Sequence, residues 1–343
     1  MVDQIFSEDC KHIIKNTNLK KIKNTKVLIL GSNGFFATYI QAILLIQKCK
    51  ITSISLNNPR GMFKNLHDNN KINFLKLDLN NESKLKKILK KKFDYIFHCA
   101  TYGQPQKWEN NIFDTINLNT KILKLILEHS VKFKSRVLYL SSAAVYKVSK
   151  INDKKKEDSP LSIGNFFSEN VYSASKILGE KLCEFYKLKY KIPVFVARPT
   201  HTFGPGQDYS IDQRVLPQLV KRALTEKKIY IHDKGKTVRT WTYISDVTIM
   251  LLNIVQRGNS LIYNVCGKDS KSIYEIAKTI ANLEKIKKVE IKKKRLAFTN
   301  ENHNKLVLSS EKYDKEFNKI FYIKFTDGLK RFIKWNKEWQ KSN

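Results

Sequence analysis

The chain has 343 residues, 42% of them apolar, enough to bury one large core or two intimate ones. It carries 64 basic against 31 acidic side chains, a formal net charge of +33. The lysines run along the whole chain together with abundant Asn and Ile, a pattern that a codon bias explains. No nucleic-acid function is therefore expected, although such a surface attracts phosphate-bearing small molecules.

Five cysteines (Cys10, Cys49, Cys99, Cys183, Cys266) are widely spaced and form no CxxC pair. This fits a reducing, cytoplasmic compartment and no metal site. No apolar run approaches ~18 residues, so no membrane span is expected. Met1 to Asn24 lacks the apolar core of a signal peptide.

Taken in order, residues 8–16 read as a short helix capped by Ser7, with Glu8 and Asp9 in its first turn. Lys26 to Leu30 is a short apolar run of the buried-strand type. It runs into Gly31-Ser32-Asn33-Gly34-Phe35-Phe36-Ala37, and a helix follows through Tyr39, Ile40, Ile43, Leu44 and Leu45. Strand, Gly-rich turn and helix form the context of a dinucleotide site. Gly31 permits the tight turn, and Gly34 lets the backbone approach a pyrophosphate at the helix N-terminus. Ala37 stands where the fingerprint has a third Gly or Ala.

The second strand spans Ile51 to Leu56, where such folds place an acid for the ribose. Here Asn57 and Arg60 follow and no acid does. Asn57 can hydrogen-bond a ribose and Arg60 can meet a 2′-phosphate, so NAD and NADP both stay open. Strands follow at Ile72 to Leu77, ending in Asp78-Leu79, and at Phe93 to Ala100. Ala100 is a small residue at a strand's carboxyl end, where open α/β sheets bind ligands. A helix over 112–130 and a strand from Arg136 to Leu140 lead into Ser141-Ser142-Ala143-Ala144-Val145-Tyr146. Residues 147–169 read as a polar, charged loop near the active site.

Val171-Tyr172-Ser173-Ala174-Ser175-Lys176 opens a long helical run. Tyr172 and Lys176 lie one turn apart on one face. An ammonium beside a phenol favours the phenolate, so the pair suits a general base. A strand from Val194 to Ala197 follows. Pro199, Gly204, Pro205 and Gly206 mark a loop. Helices are expected at 212–226, 246–256 and 271–283, strands at 228–232 and 288–292, and Leu261 to Val265 is expected to rejoin the main sheet. The reading is α/β: a doubly wound parallel sheet of the Rossmann type over 25–200, a helical extension over 1–24, and a smaller substrate-binding cap over 201–343 from which 240–266 returns.

The ordered set resembles the extended short-chain dehydrogenase/reductase superfamily, in its NAD-dependent epimerase/dehydratase branch acting on nucleotide sugars. The Gly31–Ala37 turn, Asp78-Leu79, the Asp94–Ala100 strand, Asn117, Ser142, Tyr172 with Lys176, Arg198-Pro199 and Arg239-x-Trp241-x-Tyr243 occur in the family's order. The resemblance implies that Gly31, Asn33, Gly34, Phe35, Asn57, Asp78, Leu79, Ala100 and Pro199 border the cofactor. It implies that Tyr172 is the base, and that Lys176 lowers its pKa and binds the nicotinamide ribose. Ser142 would bind the reacting sugar hydroxyl, Arg239 the substrate pyrophosphate, and His201 would stand where the family often has Asn. Asn117 would be a structural residue near the site. A homodimer formed through the helices at 112–130 and 171–190 is implied as well.

Dehydratases of the family look like Thr-Asp-Glu before Val-Tyr, and decarboxylases keep a Glu there. This chain has Ala143-Ala144, which cannot move a proton. A nucleotide-sugar 4-epimerase is thus the first expectation. The alternatives are a 4-keto reductase, a UDP-glucuronate decarboxylase or dehydratase, and a non-catalytic dinucleotide sensor.

Overall fold

The computed structural model describes residues 4–59, 62–67, 71–149, 153–162, 171–292, 305–319 and 321–342. Arg60 lies outside them, as do parts of the expected 147–169 loop.

Five strands open the main sheet: β1 (Lys26–Leu30), β2 (Lys50–Ser55), β3 (Ile72–Lys76), β4 (Tyr95–His98) and β5 (Arg136–Leu140). The Val194–Pro199 and Ile262–Val265 strands complete it. The order is Ile262–Val265, Val194–Pro199, β5, β4, β1, β2, β3, and every neighbour is parallel. Both faces are covered, which is why the strands read as continuous apolar runs. The period of two still sorts them. Val27, Ile29, Leu138 and Leu140 join one core, while Leu28, Leu30, Val137 and Tyr139 join the other. The Ile262–Val265 segment returns to the sheet as expected, and the Ile244–Arg257 helix before it packs on the Val194–Pro199 strand.

A second sheet pairs Asp269–Ser272, Val238–Tyr243, Lys305–Leu308 and Lys154–Lys155, with His201–Phe203 added beside Val238–Tyr243. It carries both His201 and Arg239. The expected strands near 228–232 and 288–292 pair with each other, parallel.

Three expectations need correction. The first helix is described over Gln4–Lys15, and Ser7 lies inside it rather than capping it. Ile5, Phe6, Cys10 and Ile13 form a buried stripe that extends the helix upstream. Asp9 is not a first-turn charge. It is buried and accepts hydrogen bonds from the Tyr39 and Tyr243 hydroxyls and from Arg331. The helix expected over 112–130 is Ile112–Asn117, a π turn at Leu118–Ile122 and Leu123–Phe133. His98 Nε2 bonds the Leu118 carbonyl at 2.7 Å, a partner for a group within that irregular turn. The polar stretch after Tyr146 is tied down where it is described. Tyr146 bridges to Leu161, and Lys154–Lys155 pairs with Lys305–Leu308.

Candidate active site

The strand order reverses between β1 and β4, and the crevice outside their carboxyl ends is the ligand position of such sheets. Gly31 leaves β1 with φ of +78°. A Cβ there would sit 2.6 Å from the Ala100 Cα, so backbone meets backbone at the crevice floor. The Phe35–Ile46 helix then starts from Gly34 with no side-chain cap on its amides. Ser32 Oγ, Asn33 Oδ1 and Thr101 Oγ1 are buried with no hydrogen-bond partner among the described residues. A Gly cradle, open helix amides and orphaned polar atoms fit the pyrophosphate of a dinucleotide. The Asn33 amide also donates to the carbonyls of Asn57 (2.6 Å) and Asn58 (3.1 Å), which fixes the loop after β2. Asn57 and Asp78 are exposed at the ends of β2 and β3, while Leu79 is buried.

Replacing Gly31 by Ala should abolish dinucleotide binding or fold yield. The added methyl meets backbone rather than a yielding side chain, and the positive φ adds roughly 1–2 kcal/mol of strain. Cofactor titration of purified Gly31→Ala checks this, and wild-type affinity would contradict it.

Beyond the crevice lies a cleft of about 760 Å³. Ser142, Tyr172, Pro199, His201 and Arg239 all line it, so five expected residues from distant segments share one wall system. Ser142 caps the short turn Ala143–Val145, its Oγ accepting from the Ala144 amide at 3.1 Å. The same side chain is the polar neighbour that lowers the pKa of the Tyr172 phenol. Lys176 is buried at 1% exposure, and its Nζ donates to the Leu140 carbonyl at 2.6 Å. It lies 5.7 Å from the Tyr172 ring centre.

The electrostatics differ from expectation. Tyr172 is partly open to the cleft, yet the protein around it pushes its phenol above the ordinary value. The Ser142 side chain and then the Arg214 charge pull it back. Lys176 is not among the groups that set this shift. Burial drops its own pKa to about 7, and its ammonium is held by a backbone carbonyl. A phenolate beside the Lys176 ammonium therefore holds one proton fewer than the two groups carry together below pH 7.

The sign of the pH dependence follows. Below pH 7 both groups carry protons, and Tyr172 cannot accept another. Above it the pair holds one proton, and the phenolate–ammonium form is reachable at a pH-independent fraction. We expect kcat/KM to fall about tenfold per pH unit below 7 and to level off above it. Initial rates across that range test this. A loss on the alkaline side of 7 would contradict it.

His201 faces the cleft beside Trp241, with ring centres 5.1 Å apart. The side chain is exposed at the cleft wall; the protein around it, then the charges of Arg239 and Arg214, push its imidazole down, so it is neutral at pH 7. Arg239 is half-buried, and its Nη1 donates to the Val238 carbonyl at 2.9 Å. Asn117 ends its helix just before the π turn, partly exposed. The neighbouring Asn119 is the buried one, and it donates to Ser175 Oγ at 3.0 Å.

Two residues of the cleft are not among those expected from the sequence. Trp108 stacks on Tyr172 with ring centres 6.3 Å apart. Its cue is position alone, in the segment that leaves β4 at the carboxyl end. Arg214 lines the cleft and is clamped by the Asp212 carboxylate, its Nε 2.9 Å from Oδ1. An Asp-x-Arg just ahead of a helix is the signal that points to it.

Gly-rich turn, switch-point crevice and a Ser–Tyr–Lys cleft define a dinucleotide-dependent α/β enzyme. The model of the NAD dependent epimerase/dehydratase family matches residues 27–266, and the chain belongs to that family. A dTDP-D-glucose 4,6-dehydratase of Dictyostelium discoideum is 29% identical over 286 residues, covering 75% of this chain and 62% of the relative. The chain thus spans less than two thirds of that relative's length. A UDP-N-acetyl-alpha-D-glucosaminuronate decarboxylase of Bacillus cytotoxicus is 26% identical over 75% of this chain and 80% of its own length. The crystal structure of a Bacillus cereus UDP-glucuronic acid 4-epimerase, in complex with UDP-glucuronic acid and NAD, shares the fold. Its TM-score is 0.77 at 21% identity, covering 91% of this chain and 99% of that one.

Proposed function

We propose that this chain is an NAD-dependent nucleotide-sugar 4-epimerase. The observation that carries the reading is the cleft lining. Among the described residues that form it there is no Asp or Glu, and Ala143 and Ala144 stand beside Ser142. Eliminating water from a sugar needs an acid and a base besides the oxidising base, and the described lining holds no carboxyl group for either task. Returning a hydride to the other face of a rotated keto sugar needs neither.

NAD supplies the hydride acceptor and donor when bound in the crevice at Gly31–Phe35. Tyr172 takes the proton of the sugar C4 hydroxyl and gives one back. Ser142 holds that hydroxyl and the phenol together. Lys176 provides the positive charge that the phenolate needs. Arg239 and Arg214 offer cations to the substrate diphosphate, and neutral His201 offers a hydrogen bond. Incubation with UDP-, dTDP-, GDP- and CDP-sugars, followed by NMR, tests the reading. C4 epimers that interconvert without net cofactor change support it. Carbon dioxide from UDP-glucuronate, or a deoxy keto sugar, would overturn it.

One observation favours a second reading. The loop after β2 carries Asn57 in place of an acid, which suits NADP and a 4-keto reductase. Net NADPH oxidation with a 4-keto sugar would select it.

We also propose a homodimer through the Ile112–Phe133 and Val171–Tyr190 segments. Leu178, Phe185 and Phe113 are exposed there at 51%, 50% and 82%, and the first two share a helix face. Wild-type protein should sediment as a dimer and a Leu178→Arg/Phe185→Arg variant as a monomer. A monomeric wild type would contradict this.

A further inference from the structure

Charge is divided unevenly between the two ends of the main sheet. Six strands, β1 to β5 and Val194–Pro199, are entered through residues 18–26, 46–50, 71–73, 89–94, 131–136 and 187–193. These segments hold fifteen lysines and one arginine against a single acid, Asp94. At the other end, the same strands are left through residues 31–35, 56–59, 77–82, 99–105, 141–146 and 200–214. Those hold one arginine and four acids. The whole chain has 64 basic and 31 acidic residues. A codon bias loads both ends alike, so it does not account for this polarity.

The strand register concentrates the charge. Lys26 stands directly opposite Lys50 in the β1–β2 pair. Ile51 stands opposite Ile72, which puts Lys71 beside Lys50 on the next strand. Neighbouring strands are about 4.8 Å apart, and like charges in facing positions oppose folding. Among the described residues none of these three lysines joins an ion pair. With Lys91 and Lys92 they line a groove of about 1240 Å³. Large apolar side chains stand among the lysines at the same end. Ile46 closes its helix at 53% exposure, and Leu188 and Tyr190 close theirs at 64% and 37%.

We propose that this end of the molecule docks on an anionic phospholipid surface. Lysines spread over six loops of one sheet end suit a plane of phosphates better than a single track. Aliphatic Ile46 and Leu188 suit the headgroup–acyl boundary and have no use against a phosphate backbone. The cleft with Ser142 and Tyr172 opens at the opposite end of the sheet and stays in water when the basic end is docked.

The test uses the full chain with vesicles of phosphatidylcholine alone or mixed with phosphatidylglycerol. Co-sedimentation is expected with the mixed vesicles only, weakening as salt rises. A Lys26→Gln/Lys50→Gln/Lys91→Gln variant should bind at least about tenfold more weakly. An Ile46→Ser/Leu188→Ser variant should lose the binding that persists at high salt. Both variants lie outside the catalytic cleft and should keep wild-type turnover in free solution, which shows an intact fold. Three results would overturn the proposal: equal binding to pure phosphatidylcholine, unchanged binding of the lysine variant, or single-stranded RNA displacing the protein from the mixed vesicles.

Discussion

Tyr172→Phe should lower turnover about 10²–10⁴-fold while leaving dinucleotide affinity unchanged. The substitution removes one hydroxyl and nothing else. The ring keeps its stacking on Trp108 and its place near the Lys176 ammonium. What disappears is the atom that accepts the sugar proton and the polar partner of Ser142 in the cleft. Steady-state kinetics and cofactor titration on the same preparation check both statements. Activity within a few fold of wild type would refute the role of Tyr172.

The second large effect lies about two turns further along the same helix. Glu180 and Arg198 form a buried pair, 3% and 1% exposed. Arg198 Nε donates to Glu180 Oε1 at 2.9 Å, and Nη1 donates to the Tyr146 hydroxyl at 2.7 Å. Tyr146 in turn donates to Asn264 Oδ1 at 2.6 Å, and Ser141 Oγ donates to Glu180. Burial opposes the Arg198 charge, but Glu180 and Tyr146 more than offset it and hold its pKa above the ordinary value. Glu180→Ala would leave a guanidinium buried without its counter-ion, at a cost of about 3–5 kcal/mol. The Glu180→Leu/Arg198→Met double variant should recover most of that stability, since it buries no charge. Urea unfolding of the three proteins measures this. Equal loss in single and double variants would contradict it. The network also holds Ser141 and Tyr146 at either end of the turn that carries Ser142, so the single variant should lose activity even where it remains folded.

Much of this architecture is legible in the residues because burial dictates it. Lys26 to Leu30 reads as a strand with the bounds found, since a strand covered on both faces must be apolar throughout. Gly31 is legible because only glycine tolerates its φ and its contact with Ala100. Ser142, Tyr172, His201 and Arg239 lie far apart in the chain, yet the structure brings all four to one cleft. Other features depend on tertiary contacts. Asp9 carries the local signature of a helix start, but Tyr39, Tyr243 and Arg331 draw it into the core. Tyr172 and Lys176 have the spacing of a pair in which the ammonium lowers the phenol. Burial of both groups opposes that effect, which no spacing shows. The Phe325–Ser342 helix has readable apolar spacing at Phe325, Leu329, Phe332 and Ile333. What no spacing shows is its task. Trp339 and Gln340 hold Asp208, and Asn336 receives the Tyr209 amide, so it braces the loop beside the cleft.

The central claim is that a hydride leaves the sugar C4 and returns to the same carbon from the other side. A nucleotide sugar carrying deuterium at C4, turned over in ordinary water, tests it most directly. The account predicts C4 epimers in which the deuterium remains at C4, with no net reduced cofactor. Loss of the label to solvent, or a product altered at C5 or C6, would contradict it.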